Sequence, residues 1–432
     1  MYETLLLRAI AVGFLLLLLV LSLREKPQKD SKGFFFANLK LSGRQVFFTF
    51  SASWIGAAAL LMLSERAAKQ GWQALYVMPL PTLAALLLLV LIRRPFAATG
   101  LLSLEDLLER SYGKGAARFA SVVSLWYLVL ALSSQGVALA KVGESFLKVP
   151  GPLFLLVVAT VVSLYTALRG LGSLVKVNRF QLFFLVLSIL GLAGITLGGA
   201  SRESWRALAS LPGPSPTVET LLIFLSLTLA WTVSPISLQR VRAAENNREA
   251  YGGLLGAALF LALFFAVVMV LGMVSGGSLL ALTLPLSGRL LLFVLFLSAL
   301  ISTMDTMVNT ASLSLSHLSP FSPGVNSFLV AWSSVLVALR VPSILTTLGL
   351  ASEVMAEALF LPALAALLFP RLRLPRTGKL VMAAGLFLSL LSFSRHLLGF
   401  GLFPPWPYSL AFSLPFLLLL FVLSSLQELK GS

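Results

Sequence analysis

Long apolar segments recur along the whole chain, and they constrain its fold more than any other feature of the sequence. A helix needs about 20 mostly apolar residues to cross the hydrocarbon core of a bilayer. Continuous, Leu-rich segments favour helices over a transmembrane barrel, whose strands would alternate over about ten residues. The predicted spans are thirteen: 3–23, 46–71, 74–95, 118–147, 151–169, 178–199, 218–238, 252–274, 287–316, 325–342, 345–369, 379–395 and 406–426.

Composition supports the same class. Hydrophobic residues make up 58% of the chain and charged residues 11%, which is too few charges to cover a soluble core of that size. No composition shift is long enough to mark a soluble domain. The sequence therefore predicts an all-α polytopic membrane protein with about 13 transmembrane helices, all in one membrane domain.

The net charge of the chain is +16, and its basic residues are distributed as a membrane topology would require. If the N-terminus is outside and the C-terminus cytoplasmic, most Lys and Arg residues fall in cytoplasmic loops, as the positive-inside rule requires. Arg240 and Glu245 are assigned to one of these loops. We interpret the basic residues as anchors beside anionic lipid, so no nucleic-acid partner is needed to explain them. The predicted location is the cytoplasmic (inner) membrane, with the lipid bilayer as a partner.

Several classes of chemistry find no support in the sequence. The chain has no cysteine, which excludes disulfides and thiol-based metal sites. No Gly-rich phosphate loop precedes a lysine, and no nucleophile–base pair is recognisable, so neither ATP-driven transport nor an enzyme is predicted. The first apolar segment lacks a small-residue cleavage site and is interpreted as a retained helix rather than a signal peptide.

A polar stripe interrupts the apolar pattern in the stretch "ALISTMDTMVNTASLSLSH", which begins at Ala299. Ser302, Asp305, Thr306 and Asn309 are spaced by three and four residues, so they share one face of a helix. Polar groups at membrane depth face the bundle interior, water or an ion. The stripe therefore predicts either hydroxyls that hold helices together or the oxygen ligands of a hard cation, with Asp305 making the local potential negative.

A second unusual stretch is "SASWIGAAA", which ends at Ala59. Gly56 weakens a helix at this point. A break there would free backbone carbonyls in the middle of the membrane, where irregular backbone is tolerated only beside a cavity, and unwound carbonyls of this kind bind sodium in many secondary transporters. The alternative is close packing of helices on small residues.

Four motifs, taken in order, resemble those of the sodium/solute symporter family, which includes the sodium/proline, sodium/pantothenate and sodium/glucose transporters. The first motif runs from Phe34 to Gly71 and contains the Gly56 stretch. The second is "SLEDLLERSYG", and the third is "SPISLQRVRAAENNREA". The fourth is the polar stripe itself. The resemblance covers about residues 33 to 317, and the hydropathy pattern continues the match to about 395.

This resemblance implies the inverted-repeat architecture of the leucine transporter, in which five helices are repeated in opposite orientation and the first core helix is broken. The core would occupy residues 33–370. Residues 1–32 would form a preceding helix and basic loop, and residues 371–432 two peripheral helices. The implied function is sodium-coupled symport of a small organic solute by alternating access, with an amino acid or small carboxylate as the expected solute.

The resemblance also implies a sodium site, with Na+ as the coupling ion. Matched motif to motif, its ligands are Ala52, Ile55, Ala299, Ser302 and Thr303. The first three would contribute carbonyls, and the last two would contribute hydroxyls. Both hydroxyls required by the pattern are present.

Four further residues are candidate ion or solute contacts besides the stripe residues Asp305, Thr306 and Asn309. Trp54 replaces the aspartate of sodium/proline members, which puts proline specificity in doubt; it could stack on a solute, plug the cavity or simply pack. Gln135 could face the cavity or pack. Glu353 and Glu357 share a helical face, where burial and like charge favour protonation of one carboxyl. They could contact a cationic solute group, act in an outer gate, or pair with Lys141 or Arg340.

Two rival functions stay open from the sequence. The first is the same fold driven by protons, or by no ion, with Asp305 or Glu357 titrating. The second is a transporter-like sensor that binds a solute without moving it. The solute and the oligomeric state are not predicted.

Overall fold

The protein is an all-helical bundle. A computed structural model describes residues 2–28, 30–211, 213, 215–341, 343–398 and 403–430. In these residues the only β-pairing is an isolated parallel bridge between Leu41 and Ala244, which confirms the predicted class. The α-helices are α1 (Tyr2–Leu23), α2 (Ser31–Phe36), α3 (Gly43–Trp54), α4 (Leu63–Gln70), α5 (Pro79–Ala98), α6 (Leu104–Tyr112), α7 (Lys114–Val142), α8 (Gly151–Arg169), α9 (Leu171–Gly198), α10 (Arg202–Ser210), α11 (Val218–Thr232), α12 (Pro235–Ala243), α13 (Asn247–Ser275), α14 (Leu286–Ser316), α15 (Pro323–Ala338), α16 (Ile344–Met355), α17 (Leu361–Leu368), α18 (Pro375–Leu398) and α19 (Leu410–Lys430).

Ten helical stretches of the described chain are long and apolar enough to cross a membrane, or eleven if the bent pair α11–α12 counts as one span. The thirteen predicted spans are these eleven and two more, which come from two differences in how helices are counted. One counts α15, which has 16 residues. The other divides the 41-residue stretch Ala58–Ala98. That stretch would be about 60 Å long if straight, twice the hydrocarbon thickness, and its backbone leaves helical geometry at Gly71, where φ is 56°. The count of thirteen stays a prediction.

Helix α14 lies at the centre of the bundle. Every one of its residues from 295 to 314 is buried, because α3, α7, α8, α9 and α15 all pack against it. The last helix, α19, is the opposite case, since Phe412, Leu418 and Leu419 are all more than half exposed. An exposed leucine face on an apolar helix suits contact with lipid chains. The polar stripe of α14 therefore faces protein and not lipid.

Two helices are interrupted, and their interruptions meet. Helix α3 ends at Trp54, and a π-helical turn starts only at Ala58. Helices α11 and α12 meet at a 42° bend before Pro235, where the missing N–H of proline favours a helix start over continuation. The Trp54 ring lies 5.6 Å from the ring of Trp231, near the end of α11. The chain is thus broken at Gly56 as predicted, and a second break faces the first.

Candidate functional site

Five oxygen atoms converge where the break before the π turn touches the middle of α14. The Ser302 hydroxyl donates to the carbonyl oxygens of Ala52 (2.8 Å) and Ala299 (3.0 Å). The Thr303 hydroxyl donates to those of Ile55 (3.3 Å) and Ala299 (2.9 Å). All five residues are buried. These are the same five residues that motif matching gave from the sequence, and the fold brings them together.

Local backbone geometry explains how the Ile55 carbonyl becomes available. Ile55 has φ −99° and ψ 84°, which turns its carbonyl out of the helical hydrogen-bond pattern. Gln135 of α7 stabilises the break by accepting a 2.7 Å hydrogen bond from the backbone N–H of Ala57. Gly56 is required for this approach, since a Cβ atom there would lie 2.6 Å from the Gln135 Oε1 atom and 3.1 Å from the Thr303 hydroxyl. The glycine therefore permits both contacts as well as the break.

A small cavity of about 60 Å³ adjoins the five oxygens and lies between the two helix breaks. Its wall includes Trp54, Gln135 and Trp231, and Thr303 contributes to the cavity as well as to the oxygen cluster. Two candidates from the sequence, Trp54 and Gln135, therefore lie beside the cavity. Trp231 was not singled out from the sequence, because an apolar helix with one tryptophan gives no sign that the residue meets another break.

The rest of the polar stripe faces α12 and α8. Asp305 accepts a 2.8 Å hydrogen bond from the Tyr165 hydroxyl of α8. Thr306 accepts from the Arg240 guanidinium (3.1 Å), and Asn309 accepts from the Gln239 amide (3.1 Å). These three stripe residues thus have protein partners outside the five-oxygen cluster.

Arg240 corrects the sequence interpretation. It was placed in a cytoplasmic loop as a topological anchor, but the structure buries it completely. Its guanidinium also donates to Thr310 and to its neighbour Gln239. The Gln239 amide, in turn, donates to the Phe35 carbonyl of α2. The third family motif contains a Gln-Arg pair, which could have indicated a buried role for Arg240. Hydropathy alone does not distinguish such a residue from a basic anchor in a loop.

Glu353 and Glu357 meet the last two helices. Glu353 accepts hydrogen bonds from Ser392 of α18 (3.1 Å) and from Ser409, which directly precedes α19. Glu357 accepts from Ser389 of α18 (2.8 Å) and from Ser413 of α19. Neither glutamate is on the wall of the central cavity. The structure therefore places this pair where α16 and the turn after it meet α18 and α19, and the hydrogen-bond partners of the pair are serines.

This placement makes Glu357→Gln a mild change. Glutamine presents a carbonyl oxygen and amide N–H donors to the same two serines, so we expect uptake of solute to stay within about twofold of the unaltered protein, with the same dependence on sodium. Sodium titration of uptake in proteoliposomes measures this. A large loss, or a changed sodium dependence, would instead put Glu357 on the transport pathway.

Together the membrane-spanning bundle, the facing helix breaks and the buried oxygen cluster define a multi-pass secondary transporter with the leucine-transporter type of fold. The comparisons with known proteins agree. The model of the sodium:solute symporter family matches residues 34–285, more than half of the chain. The chain belongs to the sodium:solute symporter family, whose members couple solute movement to sodium. The expected family, and the expectation of a transporter and not an enzyme, are confirmed.

Solved structures show the same fold at low sequence identity. A Na+-coupled sialic acid symporter in its substrate-bound, outward-open state is 14% identical, covers 97% of this chain and 97% of its own, and gives a TM-score of 0.80. Mhp1, a nucleobase-cation-symport-1 family transporter in a closed conformation, is 13% identical, covers 92% and 94%, and gives 0.60. A manganese transporter of Eremococcus coleocola is 13% identical, covers 94% and 97%, and gives 0.55. No curated protein matches the sequence.

Proposed function

We propose that the protein moves a small organic solute across the cytoplasmic membrane together with sodium, which binds at the carbonyls of Ala52, Ile55 and Ala299 and the hydroxyls of Ser302 and Thr303. The convergence of these five oxygens carries the proposal. Hard cations such as sodium are held by oxygen atoms, and a buried cluster of carbonyls and hydroxyls supplies them without a fixed charge.

The chemistry of this cluster favours sodium over the proton. None of the five groups is a carboxyl or an imidazole, so none could carry a coupling proton near neutral pH. A proton-driven rival would use Asp305, whose carboxyl meets Tyr165 instead. We assign Asp305 an electrostatic role beside the ion, and Thr306 and Asn309 a role in holding α12 against α14.

The transport cycle would follow from the two facing breaks. We infer a core of two five-helix repeats in residues 33–370, in which α3–α4 and α11–α12 are the broken first helices of their repeats. Sodium at the first break would fix the Ile55–Ala57 backbone, which also borders the solute cavity. Solute and ion would then share one conformational change, driven by the sodium gradient and by a membrane potential worth about 2.3 kcal/mol per charge at 100 mV.

We also infer the orientation, with the N-terminus outside and the C-terminus in the cytoplasm, from the excess of basic residues in the loops that this orientation places inside. Residues 1–32 and 371–432 would flank the core. This orientation places the end of α4 and the start of α11 outside. Arg66 and Glu219 pair there at 3.4 Å and line a pocket of about 600 Å³, and such charged residues suit an outer surface.

Sodium binding can be tested without knowledge of the solute. The chain has no cysteine, so Met307→Cys introduces a single thiol on the cavity wall, one helical turn from Thr303. We expect sodium, but not potassium, to slow labelling of this thiol in a saturable way, because the ion would fix the break beside it. Equal labelling rates in the two salts would reject the sodium site. Sodium protection without solute flux in any gradient would favour the sensor.

A further inference from the structure

Three aromatic side chains form much of the wall of the central cavity. Trp54 and Trp231 meet edge to face, with their ring centroids 5.6 Å apart and their planes at 64°. Tyr127 of α7 adds a third ring. Large rigid rings of this kind provide flat apolar surface, and they favour partners that present a flat or apolar face.

The polar groups on the same wall carry no charge. They are the hydroxyls of Ser53, Tyr127, Ser234 and Thr303, the amide of Gln135 and the indole N–H groups of Trp54 and Trp231, and the remaining lining side chains are apolar. The Gln135 amide donates one of its hydrogens to Ser134 (3.1 Å), so its second N–H can donate to a solute. An ionised solute group transferred here from water would therefore find no oppositely charged side chain, and burial of an unpaired charge is costly.

The helix starts at the two breaks offer no substitute for a counter-charge. At the second break Pro235 has no N–H, and the Ser234 hydroxyl caps α12 by accepting from the Ser237 N–H at 3.2 Å. The first break interrupts the helix formed by α3 and α4. The first backbone N–H of its second half, at Ala57, would otherwise be the place for an anionic group, because free N–H groups and the helix dipole favour negative charge there. In this chain the side-chain carbonyl oxygen of Gln135 already accepts a 2.7 Å hydrogen bond from that N–H. The close fit of Gln135 against Gly56 fills the space beside it. A solute carboxylate would have to displace this contact.

Charged side chains line a different pocket. Glu65 and Lys69 pair at 2.6 Å, Arg66 pairs with Glu219, and all four residues border the larger pocket at the end of α4. That pocket and the central cavity share no lining residue. The two compartments thus differ in character, one charged and wide, the other uncharged and aromatic.

We propose that the central cavity, once it opens beyond its present volume of about 60 Å³, takes an electrically neutral solute with a flat apolar face, which packs on Trp54, Trp231 and Tyr127 and hydrogen-bonds to the Gln135 amide. The proposal rests on the sodium-coupled transport proposed above. It replaces the amino acid or small carboxylate expected from the family resemblance with an uncharged compound.

Three probes of one shape separate the charge classes: benzamide is neutral, benzoate is an anion and benzamidine is a cation. Unfolding temperatures of the purified full-length protein would be measured with each probe in sodium and in potassium. We expect benzamide to raise the unfolding temperature in sodium and much less in potassium. The concentrations needed for benzoate and benzamidine should be about tenfold higher or more, because no side chain on the wall carries the opposite charge and the sodium ion proposed beside Thr303 is already held by five oxygen atoms.

Two variants tie this selectivity to the cavity. Trp231→Ala should weaken the benzamide effect about tenfold, and Trp231→Phe should restore most of it, because a ring is what the solute packs on. Gln135→Glu places a carboxyl of nearly the same shape on the wall. It should shift the preference from benzamide toward benzamidine, a change that loss of packing alone would not produce.

The results distinguish an error in the proposed solute class from an error in the proposed sodium coupling. If sodium alone protects the Met307→Cys thiol but benzoate or benzamidine stabilises the protein as well as benzamide does, the solute class is wrong and sodium coupling stands. The same conclusion follows if benzamide does not change the unfolding temperature. If sodium itself has no effect on the thiol, the proposed function fails first.

Discussion

The double variant Ser302→Ala/Thr303→Ala is expected to lose sodium binding and sodium-driven uptake, with an apparent affinity for sodium lower by about 100-fold or more. The change removes two of the five oxygens at the break. It also leaves the carbonyls of Ala52, Ile55 and Ala299 without their hydroxyl donors. Each lost interaction with a buried polar group costs about 1–3 kcal/mol, and about 1.4 kcal/mol corresponds to a factor of ten in affinity.

The measurement is sodium titration of Met307→Cys labelling in the double variant. A matched control is Ser298→Ala, which removes a hydroxyl from the same helix, equally buried, that makes no hydrogen bond to a described residue. The control should titrate with sodium like the parent. Sodium protection that survives in the double variant would show that the ion binds elsewhere, and attention would move to Asp305.

The five residues of the oxygen cluster could be predicted to lie together because the information is local. Spacings of three and four residues place the hydroxyls of α14 on one face whatever surrounds the helix. Gly56 weakens its helix in any context. The family motifs then supply the pairing of one stretch with the other, which spacing alone does not give. The fold class follows from the apolar segments for a similar reason, since the bilayer sets both their length and their helical state.

The partners of buried charges could not be predicted, because tertiary packing chooses them. Glu357 has an obvious neighbour in Glu353 along its own helix, yet its hydrogen bonds are to Ser389 and Ser413 on helices that follow in the chain. Serines are frequent in this sequence and give no signal of such a role. Trp231 meets Trp54 for the same reason, since only the fold brings the two breaks together.

Replacement of Arg240 by methionine is expected to be among the most destabilising single changes in the chain. The guanidinium is fully buried and donates to Gln239, Thr306 and Thr310. Its positive charge also attracts the Asp305 carboxyl, although the two groups are not in direct contact. Each buried acceptor that loses its donor costs about 1–3 kcal/mol, and the Asp305 carboxyl would also lose a favourable positive charge nearby. A lower unfolding temperature of the detergent-solubilised protein would report this loss.

A second variant separates charge balance from packing. Arg242→Met removes a neighbouring arginine whose contact, to the Gly100 carbonyl, is exposed, so its effect should stay within about 0.5 kcal/mol. Arg240→Met/Asp305→Asn should recover a large part of the lost stability, because the neutral amide no longer needs a positive neighbour and can still accept from Tyr165. If the double variant is as unstable as the sum of its two single variants, Arg240 acts through its hydrogen bonds to α14, and its charge is not what the fold requires.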